Sequence, residues 1–177
     1  MRYVPTVTRI WKKLDLTGVE EVLLTPVDTD LPKEPSSILV DNGCFSINRD
    51  LNLHPKLNDH IERCIELKKD PRCIFVLPDI RHNKDLAIHY MDAFLAAVKP
   101  SRFILVDVPH LLETYKHLID DVEFLAIPSN REKRANFDLK RYHLFGRNPL
   151  STEARSWDDL LFDAATPIKD QVLLRSR

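Results

Sequence analysis

Three aspartates stand where short apolar runs end: Asp41 in Val40-Asp41-Asn42-Gly43, Asp79 in Leu77-Pro78-Asp79 and Asp163 in Phe162-Asp163-Ala164. A carboxylate beside a buried strand is costly to desolvate unless it has a partner or a task. Clusters of acids are also where pKa values separate, so that one group holds a proton while another stays ionised. Brought together by converging strand ends, these carboxylates could divide acid and base work. Taken singly, each better suits a cap for the turn or helix that follows it. Asn42-Gly43 fits both readings, because glycine permits an unusual backbone conformation or the close approach of a ligand, and an ordinary turn uses the same pair.

Other chemistry-bearing side chains surround these segments. His82 in PDIRH and His110 in DVPH follow strand ends and could meet the acids from neighbouring loops, although their spacing does not support a metal site. Arg131, Lys133, Arg134, Lys140, Arg141 and Arg147 form a basic cluster that could contact phosphates or simply make a solvated charged face. Cys44, Cys64 and Cys73 are odd in number and lack the close pairs of a zinc site or disulfide framework, so reduced thiols and no metal are expected.

The elements that would position these groups read as an alternation of strands and helices. Apolar runs rich in Val, Ile, Leu and Phe at Glu21 to Val27, Ser37 to Val40, Cys73 to Leu77, Arg102 to Val106 and Glu123 to Ile127 have the character of buried strands. Tyr142 to Phe145, Leu160 to Phe162 and Tyr3 to Thr8 are shorter candidates. Helical periodicity is clearest in Leu57 to Lys69 and Leu86 to Val98, with a third helix over Leu111 to Ile119. Arg131 to Leu139 fits either a short helix or a loop. Alternating strands and helices favour parallel pairing through right-handed crossovers. The expected fold class is therefore α/β: a compact eight-stranded (β/α)8 TIM-type barrel with trimmed connections, or an open doubly wound parallel sheet. Both architectures put function at the carboxyl ends of strands. Barrels usually need about 200 residues or more, so trimming is expected before Ser36 and after Gly146.

Composition sets outer bounds on function. The 177 residues suit a single α/β domain over 1–177, with 44% hydrophobic and 30% charged residues. A net charge of -1 gives no whole-molecule attraction to nucleic acid, so any polynucleotide would have to be met by a local patch. No apolar run is long enough to span a membrane, and the N-terminus lacks a signal-peptide stretch, which leads to an expected cytoplasmic location. The three glycines, Gly18, Gly43 and Gly146, form neither a dinucleotide fingerprint nor a P-loop, so nucleotide-cofactor chemistry is not expected.

The segments VDNGCF, VLPD, AIPS, HLFG and LLFDAATP occur in the order of comparable segments in tRNA-guanine transglycosylases and their DNA-modifying relatives, and the chain resembles that superfamily's compact barrel core over about Ser37 to Pro167. The resemblance implies a general acid/base at Asp41, recognition of the base edge by Asp79 and nucleophilic attack on the sugar by Asp163. It further implies substrate-binding positions at Asn42, Gly43, Ser129 and Gly146, with His143 and Gly146 in YHLFG similar to a family His and Gly segment; His143 suits a core position. Two departures stand out: the family's Gln-Gly segment is here Val106-Asp107-Val108-Pro109, and its cysteine-rich zinc segment is absent.

The expectation that follows is exchange of guanine in DNA or tRNA for a 7-deazaguanine base through a covalent aspartyl-glycosyl intermediate, with no dissociable cofactor. Two other readings stand beside it. One is a glycosyl hydrolase or transferase acting on free nucleosides or nucleotides. The other is a noncatalytic nucleic-acid-binding subunit that relies on a partner for catalysis. A homo-oligomer is compatible with each.

Overall fold

The computed structural model describes residues 2–4, 11–25, 30–128, 141–145 and 159–163, with side chains described over 12–25 and 30–126. Among these, eight strands pair in parallel: β1 (Arg2–Val4), β2 (Glu21–Leu24), β3 (Ser37–Val40), β4 (Cys73–Val76), β5 (Phe103–Val106), β6 (Phe124–Pro128), β7 (Arg141–Phe145) and β8 (Asp159–Asp163). The α/β class on a parallel sheet, expected from the alternating pattern, is what the chain forms. Its strand order is β1-β8-β7-β6-β5-β4-β3-β2, so from β2 to β8 each strand lies beside its successor. Residues of β1 and β2, the outer strands of that order, also approach within 8 Å between Cα atoms.

Every residue of β2, β3, β4 and β5 is buried. That explains their continuous apolar sequences: a strand covered on both faces has no reason to alternate. β2, β4 and β5 are shorter than the apolar runs that announce them, with β2 stopping at Leu24, whereas β7 and β8 extend beyond theirs. The strand expected over Tyr3 to Thr8 begins at Arg2 and is described only to Val4.

Four α-helices lie among the described residues: α1 (Cys44–Arg49), α2 (Lys56–Leu67), α3 (Lys84–Val98) and α4 (Pro109–Thr114). Leu57, His60, Ile61, Cys64 and Leu67 form the buried stripe of α2, at the three- and four-residue steps a helix requires. In α3, the Asn83 side chain caps the first turn by accepting from the Leu86 N–H at 3.0 Å. Lys99, in the left-handed region at φ 50°, ends that helix before Pro100. Phe94 of α3 meets Phe75 of β4 edge-on and stacks with His60 of α2, tying both helices to the sheet.

The helix expected over Leu111 to Ile119 is divided. α4 stops at Thr114, Tyr115 leaves helical geometry, and Lys116–Asp121 continues as a 3-10 turn. Tyr115 is buried, and its hydroxyl donates to Asp92 Oδ1 of α3 at 2.6 Å, so an interhelical bond coincides with the break. α1 and the short 3-10 turns at Trp11–Lys13 and Leu51–Leu53 were not anticipated. Residues 30–36 contain no helix, consistent with a trimmed connection before β3. Arg131 to Leu139 lies outside the described residues.

Cys44, Cys64 and Cys73 are free, buried thiols. Among the described residues no helix is long and apolar enough to cross a membrane.

Candidate functional site

The chain leaves β3 at Val40 and immediately presents Asp41, Asn42 and Gly43. Asp41 is half-buried, and its N–H donates to the Leu24 carbonyl at 2.7 Å, extending the β2–β3 ladder by one bond. Asn42 is buried, and its Nδ2 donates to the Leu77 carbonyl at 2.7 Å and to Asp79 Oδ1 at 2.9 Å. Its Oδ1 accepts from the Cys44 N–H at 2.8 Å, a local turn that starts α1. Gly43 provides the positive φ of 68° that this turn demands, and a Cβ there would meet nothing within 4 Å. Backbone conformation, rather than a tight approach by a neighbour, therefore accounts for the glycine.

Asp79 is the centre of the site. It follows β4, is only 5% exposed, and has both carboxylate oxygens engaged. Oδ1 accepts from Asn42, while Oδ2 accepts from Arg81 Nε at 3.1 Å and Nη2 at 3.0 Å. The backbone around it is clamped to α1: Asn48 Nδ2 donates to the Asp79 carbonyl at 2.9 Å, and Asn48 Oδ1 accepts from the Arg81 N–H at 2.8 Å. The Asp79 N–H points to Cys44 Sγ at 3.4 Å.

Burial raises the Asp79 carboxyl above its ordinary pKa, against the opposing pull of Arg81 and Asn42. Burial and then the negative charge of Asp79 push the Cys44 thiol well up, and Asp41 adds to the effect. Cys44 is thus an inert spacer rather than a nucleophile, and it feels both acids that the sequence singles out.

One strand further on, Asp107 stands as many residues past Ile104 as Asp79 does past Val76, the register partner of Ile104. Asp107 is also 5% exposed, and its N–H donates to the Ala126 carbonyl at 2.8 Å. His110, half-buried on α4, uses Nε2–H to reach the Ile80 carbonyl at 3.1 Å, which fixes the segment after Asp79 from the β5 side. His82 is exposed. Phe45, on the first turn of α1, is 74% exposed, and Arg49 lies over its ring at 5.6 Å from the centroid.

The described side chains thus bring together Asp41, Asn42, Gly43 and Asp79 at the carboxyl ends of β3 and β4. Asp163 closes β8 at the same end of the sheet, with Val4 and Phe145 as register partners. Arg141, by contrast, opens β7 opposite Asp159, at the amino end, away from that group. His143 lies in the middle of β7, paired with Ala126 and Leu161. Ser129, Arg131, Lys133, Arg134, Lys140, Gly146 and Arg147 lie outside the described residues.

Four neighbours escaped the sequence reading as site residues: Asn48, Phe45, Arg81 and Asp107. Asp107 carries the same strand-end signature as Asp41 and Asp79 and could have been found by it. Arg81 is two residues beyond Asp79, a spacing that invites a local ion pair. Asn48 has no sequence signal, because its role depends on how α1 folds back over the β4 end.

Away from this group, a recess of about 630 Å³ lies at the amino end of the sheet, lined by Asp30, Glu66, Asp70 and Arg72 among others. Arg72 there pairs with Asp70 at 2.6 Å and donates to the carbonyls of Pro32, Lys33 and Pro35. Those bonds stitch the approach to β3 onto the turn before β4, a structural task. Among the described residues no cluster of His, Cys, Asp and Glu could hold a metal ion.

No family model, curated protein or solved structure matches the chain.

Proposed function

We propose that the chain is a transglycosylase that exchanges guanine in DNA or tRNA for a 7-deazaguanine base. The observation that carries this reading is the buried Asp79 carboxylate at a strand's carboxyl end, satisfied by planar N–H donors, one of them from Asn42, the residue that follows Asp41. A guanine edge offers a ring N–H and an exocyclic amino group to such a carboxylate. The exposed ring of Phe45 offers an aromatic surface for stacking a base.

In the proposed mechanism, an Asp163 oxygen attacks C1' of the target nucleotide. The glycosidic bond breaks with its electron pair passing to the base nitrogen, while protonated Asp41 delivers a proton to the departing base. The incoming 7-deazaguanine then loses its N9 proton to Asp41 and attacks C1', and Asp163 leaves as a free carboxylate. The cycle returns both aspartates to their starting states and needs no dissociable cofactor.

The same reading takes the sheet as a closed (β/α)8 barrel in a single cytoplasmic domain. Support comes from the strand order, which runs in one direction from β2 to β8 and then returns to β1, and from the approach of β1 to β2. In a closed barrel, the ends of β8 and β3 face a common mouth.

The test is incubation with guanine-labelled DNA and tRNA, separately, together with 7-deazaguanine bases, followed by mass spectrometry of the nucleosides. Release of guanine from one polymer, matched by incorporation of the deazapurine, is the expected result. Asp41→Asn should slow it by about 10²- to 10⁴-fold. Release from free guanosine alone would replace this reading with nucleoside hydrolysis, and binding without release would indicate a noncatalytic subunit.

A further inference from the structure

Arg81 combines a fixed backbone with a solvent-reaching side chain. Its N–H is held by Asn48 Oδ1 at 2.8 Å, yet the side chain is 37% exposed while its carboxylate partner is 7% exposed. Two N–H groups of the planar guanidinium converge on Asp79 Oδ2, while the amide of Asn42 holds Oδ1 from inside. The Asn42 contact is built into the β3–β4 junction by its further bond to Leu77. The Arg81 contact is the outward one, made by a flexible chain that can rotate into water without disturbing the backbone clamp.

A guanidinium and the N1, C2, N2 edge of guanine share one pattern: a planar carbon bearing nitrogens whose N–H bonds point the same way. A carboxylate that accepts one accepts the other. We infer that the outer face of Asp79 is a binding site for a planar ligand with a guanidine- or amidine-type edge, and that Arg81 occupies it in the free protein and must swing away for the ligand to enter. The inference rests on the base-recognition role proposed for Asp79 and adds a competing internal ligand. A buried carboxylate stripped of its cation is strongly disfavoured, so the free protein needs such a placeholder until substrate arrives.

Removing Arg81 should therefore open the site. If the guanidinium leaves Asp79 in about one molecule in ten, a neutral side chain at 81 raises ligand affinity about tenfold. The experiment uses the full chain as wild type, Arg81→Ala, Arg81→Gln and the double variant Arg81→Ala, Asp79→Asn. Thermal melting with low-millimolar methylguanidinium probes the carboxylate directly, and calorimetry with 7-deazaguanine probes the base. Arg81→Gln, neutral but still a hydrogen-bond donor, serves if Arg81→Ala does not fold.

Methylguanidinium is expected to raise the melting temperature of the single variants and to leave wild type and the double variant unchanged. The deazapurine is expected to bind Arg81→Gln about tenfold more tightly than wild type. Equal responses of the single and double variants to methylguanidinium, or weaker purine binding by Arg81→Gln, would overturn the inference. Methylguanidinium rescue without purine binding by any variant would uphold the carboxylate site and remove guanine as its ligand. Purine binding by wild type without rescue would uphold base recognition and remove Arg81 as placeholder.

Discussion

Asp79 is the residue on which the site's electrostatics turn. Its folded pKa is raised, chiefly by burial, so between the ordinary carboxyl value of about 3.9 and the folded value the native state holds a proton that the unfolded chain has lost. Stability from this group is present below the unfolded pKa and is lost as pH rises through the folded one. Asp79→Asn, whose amide can turn its oxygen toward Asn42, removes that slope. The variant's melting temperature should therefore gain on wild type as pH is raised from 4 toward neutrality, while 7-deazaguanine binding falls by at least about tenfold. A melting difference that does not change with pH would show that Arg81 fully compensates the buried charge. At this scale the sequence was informative about the acids and silent about their partners. Asp41 and Asp79 announced themselves by ending apolar runs, but Asn48 reaches Asp79 only because α1 folds across the end of β4.

The elements that position these residues depend on a few local devices. Gly43 at φ 68° carries the chain from β3 into α1, with open space where a Cβ would lie. Gly43→Ala should destabilise the protein by about 1–2 kcal/mol through backbone strain alone, and denaturant unfolding would measure it. Gly43→Asn should cost less, since asparagine tolerates that region better. α2 carries a second device. Burial, aided by the charge of Arg63, pushes His60 down to about 4, so it is neutral where it stacks on Phe94. The unfolded histidine titrates near 6.5, so its contribution is complete above that pH and declines as pH falls toward 4, by up to about 3 kcal/mol. His60→Phe should flatten the loss of stability between pH 6.5 and 4; an unchanged acid limb would assign that loss to other groups. α2 and α3 were legible because long amphipathic stripes carry their own period. α1, with only six residues, has no such stripe and depends on the Asn42 turn. The break in the expected third helix goes with Tyr115 reaching Asp92, a contact no local pattern reveals.

For the whole molecule, the α/β class was readable because strands covered on both faces, such as β3, β4 and β5, become uninterrupted apolar runs separated by helical ones. The sequence left a closed barrel and an open sheet as alternatives, since both use the same alternation of strands and helices, and the pairing of β1 with β8 emerges only in three dimensions. In the proposed barrel, spin labels at Arg2 and Glu20, at the amino ends of β1 and β2, should show a short separation. In a flat open sheet, seven strand spacings of about 4.8 Å would hold them about 34 Å apart. The barrel matters because it is what would bring Asp163 to the same mouth as Asp41 and Asp79. The most direct test of base exchange is therefore the intact mass of the protein after acid quenching with guanine-containing DNA or tRNA, followed by peptide mapping. The account predicts a nucleic-acid adduct on the peptide carrying Asp163 that disappears in Asp163→Asn; full base exchange by that variant, with no adduct on wild type, would contradict it.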